Sequence, residues 1–297
     1  MSSILKAHLA LIGTNVFFAI NYSIIKYLIN NHFAGALGIN LIRVTVCMIL
    51  FWVLFLFRKE KTYFQKKDLK RIVICALTAI ALNQLLFIKG LSYTMAIHAS
   101  LLTLISPILI TLMAARMLKE KITGTKVIGL LLGIFGAVLL ITRKSGGGEG
   151  DNILLGDAMI ILSAFMYSVY FIAAKPLMDK YKPIAITRWI FTFGFFMTLP
   201  LCIHDFSQIQ WQKFGGNEWL LLLQVVVPGT FFAYVFNLYG IKVLSASTAG
   251  TYIYSQPIFA VIIAIIFLKE SFSIYQLIAG VLIFAGVYLS TRKPQVA

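Results

Sequence analysis

The side chains able to do chemistry in this chain are polar groups set inside long apolar stretches. Asn21, Lys26 and Arg43 come first, then the adjacent amides Asn83 and Gln84, then His98. Tyr170, Tyr234, Asn237, Tyr252 and Gln256 complete the set further along. Buried amides and hydroxyls in lipid need partners. They find them in one another across helices or in a wet cavity, and so many together favour the cavity. There they are candidate substrate-binding residues. Amides and tyrosines would bond a small polar solute, and Lys26 or Arg43 would attract an anionic group such as a carboxylate. Lys26 has a second reading, in which its ammonium snorkels to the interface. Arg43 lies deeper in its stretch, where snorkelling is harder. Lys89 and Arg116 lie near the ends of theirs, and Tyr167 reads as an interfacial belt residue.

The acids are distributed differently. They are Glu60, Asp68, Glu120, Glu149, Asp151, Asp157, Asp179, Asp205, Glu218 and Glu270, and none stands in the middle of an apolar stretch. A carrier coupled to protons or sodium often uses a buried carboxylate, so this pattern points to uniport or exchange, or to coupling through His98. His98 also has a plain structural reading as a hydrogen-bonded core residue. Cys47, Cys75 and Cys202 have no metal or redox spacing. A P-loop, nucleophile elbow, HExxH or CxxC motif is absent, so neither catalytic residues nor a cofactor or metal is expected.

The elements that must hold these residues follow from composition. The chain is 60% hydrophobic and only 12% charged, with a mean hydropathy of +0.90. A soluble domain is nearer half apolar and a quarter charged. The net charge of +16 therefore orients the chain in a bilayer rather than binding nucleic acid. Ten stretches of about 20 residues can each cross a hydrocarbon core of about 30 Å as a helix. They are 5–29, 35–57, 70–90, 95–117, 123–142, 154–178, 184–204, 218–240, 246–268 and 273–291. The first carries Lys6 at its start, lacks a clear cleavage site and reads as a transmembrane helix rather than a leader.

Two parts of the chain repeat without a gap. Gly90 aligns on Gly240, Pro107 on Pro257, Leu118-Lys119-Glu120 on Leu268-Lys269-Glu270, and Gly136 on Gly286. The glycine-rich segment Gly146-Gly147-Gly148 falls between the copies. The expected organisation is a first five-helix repeat over 1–143, a linker over 144–153 and a second repeat over 154–297. With the N-terminus inside, most lysines and arginines fall at inner ends. Only Arg143, Lys144, Lys213 and Lys269 fall at outer ones, which places both termini in the cytoplasm. Five is odd, so the second copy enters the membrane inverted. Inverted copies usually bind cargo near the midplane between them. Pro107 and Pro257, central in matching spans, are candidate kinks or gates. Gly129, Gly133 and Gly136, with Gly280 and Gly286, allow close helix packing, either within the fold or in a homodimer.

These motifs resemble the drug/metabolite transporter superfamily, in particular its EamA-type ten-helix members. The resemblance rests on Pro107 followed by Leu118-Lys119-Glu120-Lys121-Ile122 and Gly129-x-x-x-Gly133-x-x-Gly136, and on their recurrence from Pro257 to Gly286. Asn21-Tyr22-Ser23-Ile24-Ile25-Lys26 is similar to the family's first-helix motif, and Arg43 falls where the family often carries an arginine in helix two. Phe18-Ala19 departs from the family's common tryptophan-glycine pair. The resemblance implies a bacterial inner-membrane carrier of metabolites, with diverse substrates that include amino acids.

The expected fold is thus an all-α membrane protein of ten transmembrane helices in two inverted five-helix repeats. The expected function is secondary transport of a small metabolite by alternating access, with export of an amino acid or a related metabolite the leading reading. A lipid-linked or nucleotide-sugar translocator is the alternative within transport, and a membrane-embedded enzyme or sensor the alternative outside it. The expected partners are the small-molecule cargo and the lipid bilayer.

Overall fold

A computed structural model describes residues 3–57, 64–118, 124–142, 152–244, 252–269 and 272–291. Glu120, Glu270 and the linker glycines lie outside the described residues. The described residues are helical wherever they are regular. That is what lipid requires of a chain whose backbone polar groups must be satisfied internally. The helices are α1 (Ser3–Asn30), α2 (Ala36–Leu56), α3 (Lys66–Tyr93), α4 (Ala96–Leu102, then Ile105–Leu118) and α5 (Gly124–Thr142). The second set is α6 (Ile153–Lys180), α7 (Pro183–Ser207), α8 (Gly216–Val226 running on to Ala233–Leu244), α9 (a 3₁₀ turn, Ile253–Ser255, entering Gln256–Leu268) and α10 (Ile274–Thr291).

Local chemistry explains several of these ends. Asn152 caps α6, its side-chain oxygen accepting from the Leu155 amide at 3.1 Å. Pro183 starts α7, where a missing N–H loses no helix bond. The Glu218 carboxylate accepts from the Gly215 amide at 2.9 Å ahead of α8. His32 takes a positive φ of 56° in the tight link from α1 to α2, and Lys269 one of 53° at the end of α9.

The repeat seen in the sequence reappears in the helix boundaries. Ser3–Asn30 is matched by Ile153–Lys180, and Lys66–Ala76 by Gly216–Val226. A π-helical turn interrupts α3 at Leu77–Leu82 and another interrupts α8 at Val227–Phe232, again at matching positions. Neighbour relations obey the same exchange. Helix α1 packs on α8 and α9 while α6 packs on α3 and α4, α2 packs on α7, and α5 packs on α10.

Among the described residues, six segments are long and apolar enough to cross a membrane: Ser3–Asn30, Ala36–Leu56, Lys66–Tyr93, Ile153–Ala174, Ile184–Ser207 and Gly216–Asn237. The apolar pieces of α5, α9 and α10 are shorter. The expectation of ten uninterrupted spans is therefore met in part, and α4 and α9 differ from it for a visible reason. A turn at Thr103–Leu104 interrupts α4, and the described part of α9 enters its α-helix through the 3₁₀ turn. Pro107 and Pro257 follow those turns, as the third and second residues of the α-helix that comes after. Each stands in a first turn, a position that proline tolerates.

The outer surface is apolar. Phe57, Leu131, Phe135, Phe196, Ile266 and Phe267 are all more than half exposed, as a lipid-facing belt requires. The glycines act inside the chain. A Cβ at Gly136 would meet the Ala279 carbonyl oxygen at 2.9 Å, and one at Gly286 would meet the Gly129 carbonyl oxygen at 2.5 Å. They bring α5 and α10 into backbone contact.

Candidate functional site

The π turn of α8 organises the site. A π turn carries one extra residue, which disturbs the regular ladder of backbone bonds. Pro228 within it also has no N–H to give. The Thr230 hydroxyl donates to the Val225 carbonyl at 2.8 Å. The Asn21 amide of α1 donates to the Gly229 carbonyl at 2.7 Å and to that of Val225 at 3.4 Å. Arg43 of α2 then donates through Nε to the Thr230 hydroxyl at 3.0 Å. Three helices are thereby fixed by one irregular turn. Gly229 is required there, because any side chain at that position would run into Asn21.

The matching π turn of α3 delivers the other wall. Just after it, Asn83 donates to the Ser163 carbonyl of α6 at 2.9 Å and to its hydroxyl at 3.0 Å. Gln84 reaches the Tyr234 hydroxyl at 3.5 Å. Gln84 and Tyr234 occupy matching positions of the two copies, so the two halves meet there. Tyr167 and Tyr170 face the same space, with ring centres 5.8 Å apart.

Between these walls lies a cavity of ≈ 220 Å³. Of the residues singled out from sequence, Asn21, Arg43, Asn83, Gln84, Tyr170, Tyr234, Asn237 and Gln256 line it. Gln256 donates to the Tyr22 hydroxyl at 2.8 Å, which joins α9 to α1. The lining also includes Thr14, Asn15, Tyr22, Ser163 and Tyr167, which the sequence reading did not select. Tyr167 is a wall residue rather than a belt residue. Its place one turn from Tyr170 on the same helix face was the signal for it.

Three selected residues lie elsewhere. Lys26 is buried, and its ammonium donates to the carbonyls of Leu91 and Thr94 at the end of α3. It neither faces the cavity nor snorkels. His98 is buried too, with Nδ1 2.9 Å from Asp157. Tyr252 bonds the His8 ring through its hydroxyl. Asp157 corrects the expectation that the chain has no buried carboxylate. It is 0% exposed and also accepts from the Thr94 hydroxyl. It stands near the start of α6, but the α3–α4 link folds over it. Gly90 and Gly156 permit that approach: a Cβ on either would come within 3 Å of the other's carbonyl oxygen.

Arg188, another cation within a span, is buried against aromatic faces, its guanidinium carbon 3.4 Å from the Phe55 ring centre and 4.3 Å from that of Trp52. The described residues contain no group of three or more histidines, cysteines or acids able to hold a metal.

Comparison with known proteins decides the family. The EamA-like transporter family matches residues 5–142 and, a second time, residues 154–292. The chain belongs to the EamA-like transporter family. Curated relatives agree with this. The uncharacterized transporter YetK of Bacillus subtilis is 25% identical over 83% of this chain and 75% of its own length. The probable terminal-alkyne amino-acid exporter of Streptantibioticus cattleyicolor is 26% identical over 97% of this chain and 94% of its own. A solved crystal structure superposes with a TM-score of 0.61 over 97% of this chain and 96% of that one, at 18% identity, which shows a shared fold. This EamA-like chain is thus an integral membrane protein of a transporter family, and its relatives' names point to transport rather than to enzymes.

Proposed function

We propose that this chain is a secondary transporter of a small metabolite, an amino acid or a close relative, working by alternating access. The observation that carries the reading is the polar cavity where the two copies meet, at the Gln84–Tyr234 contact. Its ≈ 220 Å³ is small beside the roughly 300–1,000 Å³ of typical ligand pockets, which favours a metabolite over a lipid-linked or nucleotide sugar. The relative named as an amino-acid exporter supports export as the direction.

The same reading takes the chain as ten membrane helices in two inverted repeats, 1–143 and 154–297, joined by 144–153. The matched helix boundaries and exchanged neighbours support this. Basic residues at alternate ends support cytoplasmic termini in a bacterial inner membrane. Cargo and bilayer are the partners, with no nucleic acid and no catalysis.

The test is uptake and efflux of a labelled metabolite panel by proteoliposomes carrying the full chain. Saturable movement that stops when Asn21 and Gln84 are replaced together by leucine is expected. Movement of every compound at the rate of empty vesicles would refute transport.

A further inference from the structure

The cavity has a lopsided charge. Among the described lining residues Arg43 is the one cation, and neither Asp nor Glu is present. Arg43 is 7% exposed, and no carboxylate among the described residues pairs with it. A charge at that depth is retained only with a counter-charge or a strong set of bonds. Its Nε is committed to Thr230, and Thr230 is committed to the π turn. The two Nη nitrogens are left as the edge offered to a ligand, the geometry that a planar oxyanion bonds in a fork.

Two further acceptors on lining residues, Asn21 Oδ1 and Gln84 Oε1, have no partner but are sealed from the cavity, Asn21 Oδ1 against Gly229. The bonds that Asn21 Nδ2 makes to the π turn settle which way that amide faces. Phe87, Tyr167 and Tyr170 supply an aromatic wall beside these polar groups.

We propose that Arg43 is the carboxylate-binding residue of the cavity. The site then selects amphipathic monocarboxylates, with or without an amino group, and rejects cationic amines. The carboxylate sits on the Arg43 fork, and the apolar body lies on the aromatic wall. Aromatic faces alone would attract cations. Arg43 reverses that preference, because an unpaired positive charge in a dry site repels another. This proposal rests on the transport reading for its cargo, but the binding site can be tested separately.

The experiment uses three probes of one shape: 3-phenylpropionate, phenylalanine and phenethylamine. Their binding to the purified full chain is read by protection against thermal unfolding, and their movement by proteoliposome uptake. The wild type should bind and move the first two and not the third. Arg43→Gln should weaken carboxylate binding about 10- to 100-fold, the value of a hydrogen bond to a charged group. Arg43→Lys, which keeps the charge but loses the fork, should fall between. Phenethylamine binding as tightly as 3-phenylpropionate, or unchanged carboxylate binding by Arg43→Gln, would overturn the proposal. If Arg43→Gln does not fold, the order of the probes on the wild type decides. Carboxylate binding without movement would refute transport and leave the site standing. Failure of all three probes to bind overturns the site.

Discussion

Helices α3 and α6 meet along one seam, and α1 and α8 along the seam that matches it in the other arrangement of the copies. The first is tied by carboxylates at both ends. At one end Asp68 of α3 accepts from Lys180 at 3.2 Å and from the Tyr181 hydroxyl at 2.9 Å. At the other, Asp157 of α6 accepts from Thr94 and pairs with His98. The second seam has no such ties among its described residues. Ala7 stands where Asp157 does, Asn30 where Lys180 does, and Glu218, matching Asp68, is turned to the Gly215 amide of its own helix start. Its cross-links end on backbone carbonyls instead, from Asn21 to Gly229 and from Thr14 to Ala233 at 3.3 Å. Duplication kept the frame and let the fastenings diverge. A bond to a backbone carbonyl involves no fixed charge, so the α1–α8 seam is free of the desolvation penalty that a buried acid carries.

The largest effect should come from giving the second seam the acid of the first. Ala7 is 0% exposed, so Ala7→Asp buries a charge that has no prepared partners. It should lose about 3–5 kcal/mol, read as a collapse of the folded fraction in thermal unfolding of the detergent-solubilised chain. A variant as stable as wild type would show that the seams are equivalent. Removing the acid from the first seam should cost less. Asp157→Asn keeps the shape but mismatches the donors at Thr94 and His98, for about 1–3 kcal/mol. Stability unchanged in that variant would mean that Asp157 fastens nothing.

Gly229→Ala probes the carbonyl-based seam directly. The methyl displaces Asn21 from the π turn and should lower stability by about 1–3 kcal/mol, as other overpacked sites do. Transport of the cargo should fall with it, since Asn21 lines the cavity. Equal loss in Gly216→Ala, where a Cβ meets nothing within 4 Å, would remove the π turn from the explanation. The smallest effect belongs to the wet end of the first seam. Lys180 is 43% exposed, and Lys180→Ala should shift stability by less than about 1 kcal/mol, in a salt-dependent way. A loss as large as that of Asp157→Asn would erase the distinction between the two ends.

The doubled frame was legible because hydropathy and repeat spacing are properties of linear order. Lipid also leaves helices as the only way to hide the backbone of such apolar runs. The depth of Arg43 and the adjacency of Asn83 and Gln84 could be read for the same reason. Asp157 could not. Its position near the start of a helix suggests solvent, and only the cover formed by Thr94 across Gly90 and Gly156 makes that end dry. Lys26 misled in the opposite direction: its carbonyl partners belong to the end of α3, about 65 residues away, so no local pattern announces them. The turns before Pro107 and Pro257 were half visible, since proline marks a helix start as readily as a bend. The π turn at Leu77–Leu82 has no marker in its own residues, Leu-Thr-Ala-Ile-Ala-Leu.

That unmarked turn carries a record of time. Each π turn holds one residue more than a regular helix needs, and the two fall at matching positions in the copies. Pro228 and Gly229 occupy one of them and Thr78 and Ala79 the other, so the side chains have changed while the surplus residue has stayed. One insertion in a single ancestral unit, later copied, accounts for both. Deleting a residue from either turn would rotate all that follows by about 100° and swing Asn83 and Gln84, or Tyr234 and Asn237, away from the cavity. The surplus residue thus sets which way the residues lining the cavity face in both copies.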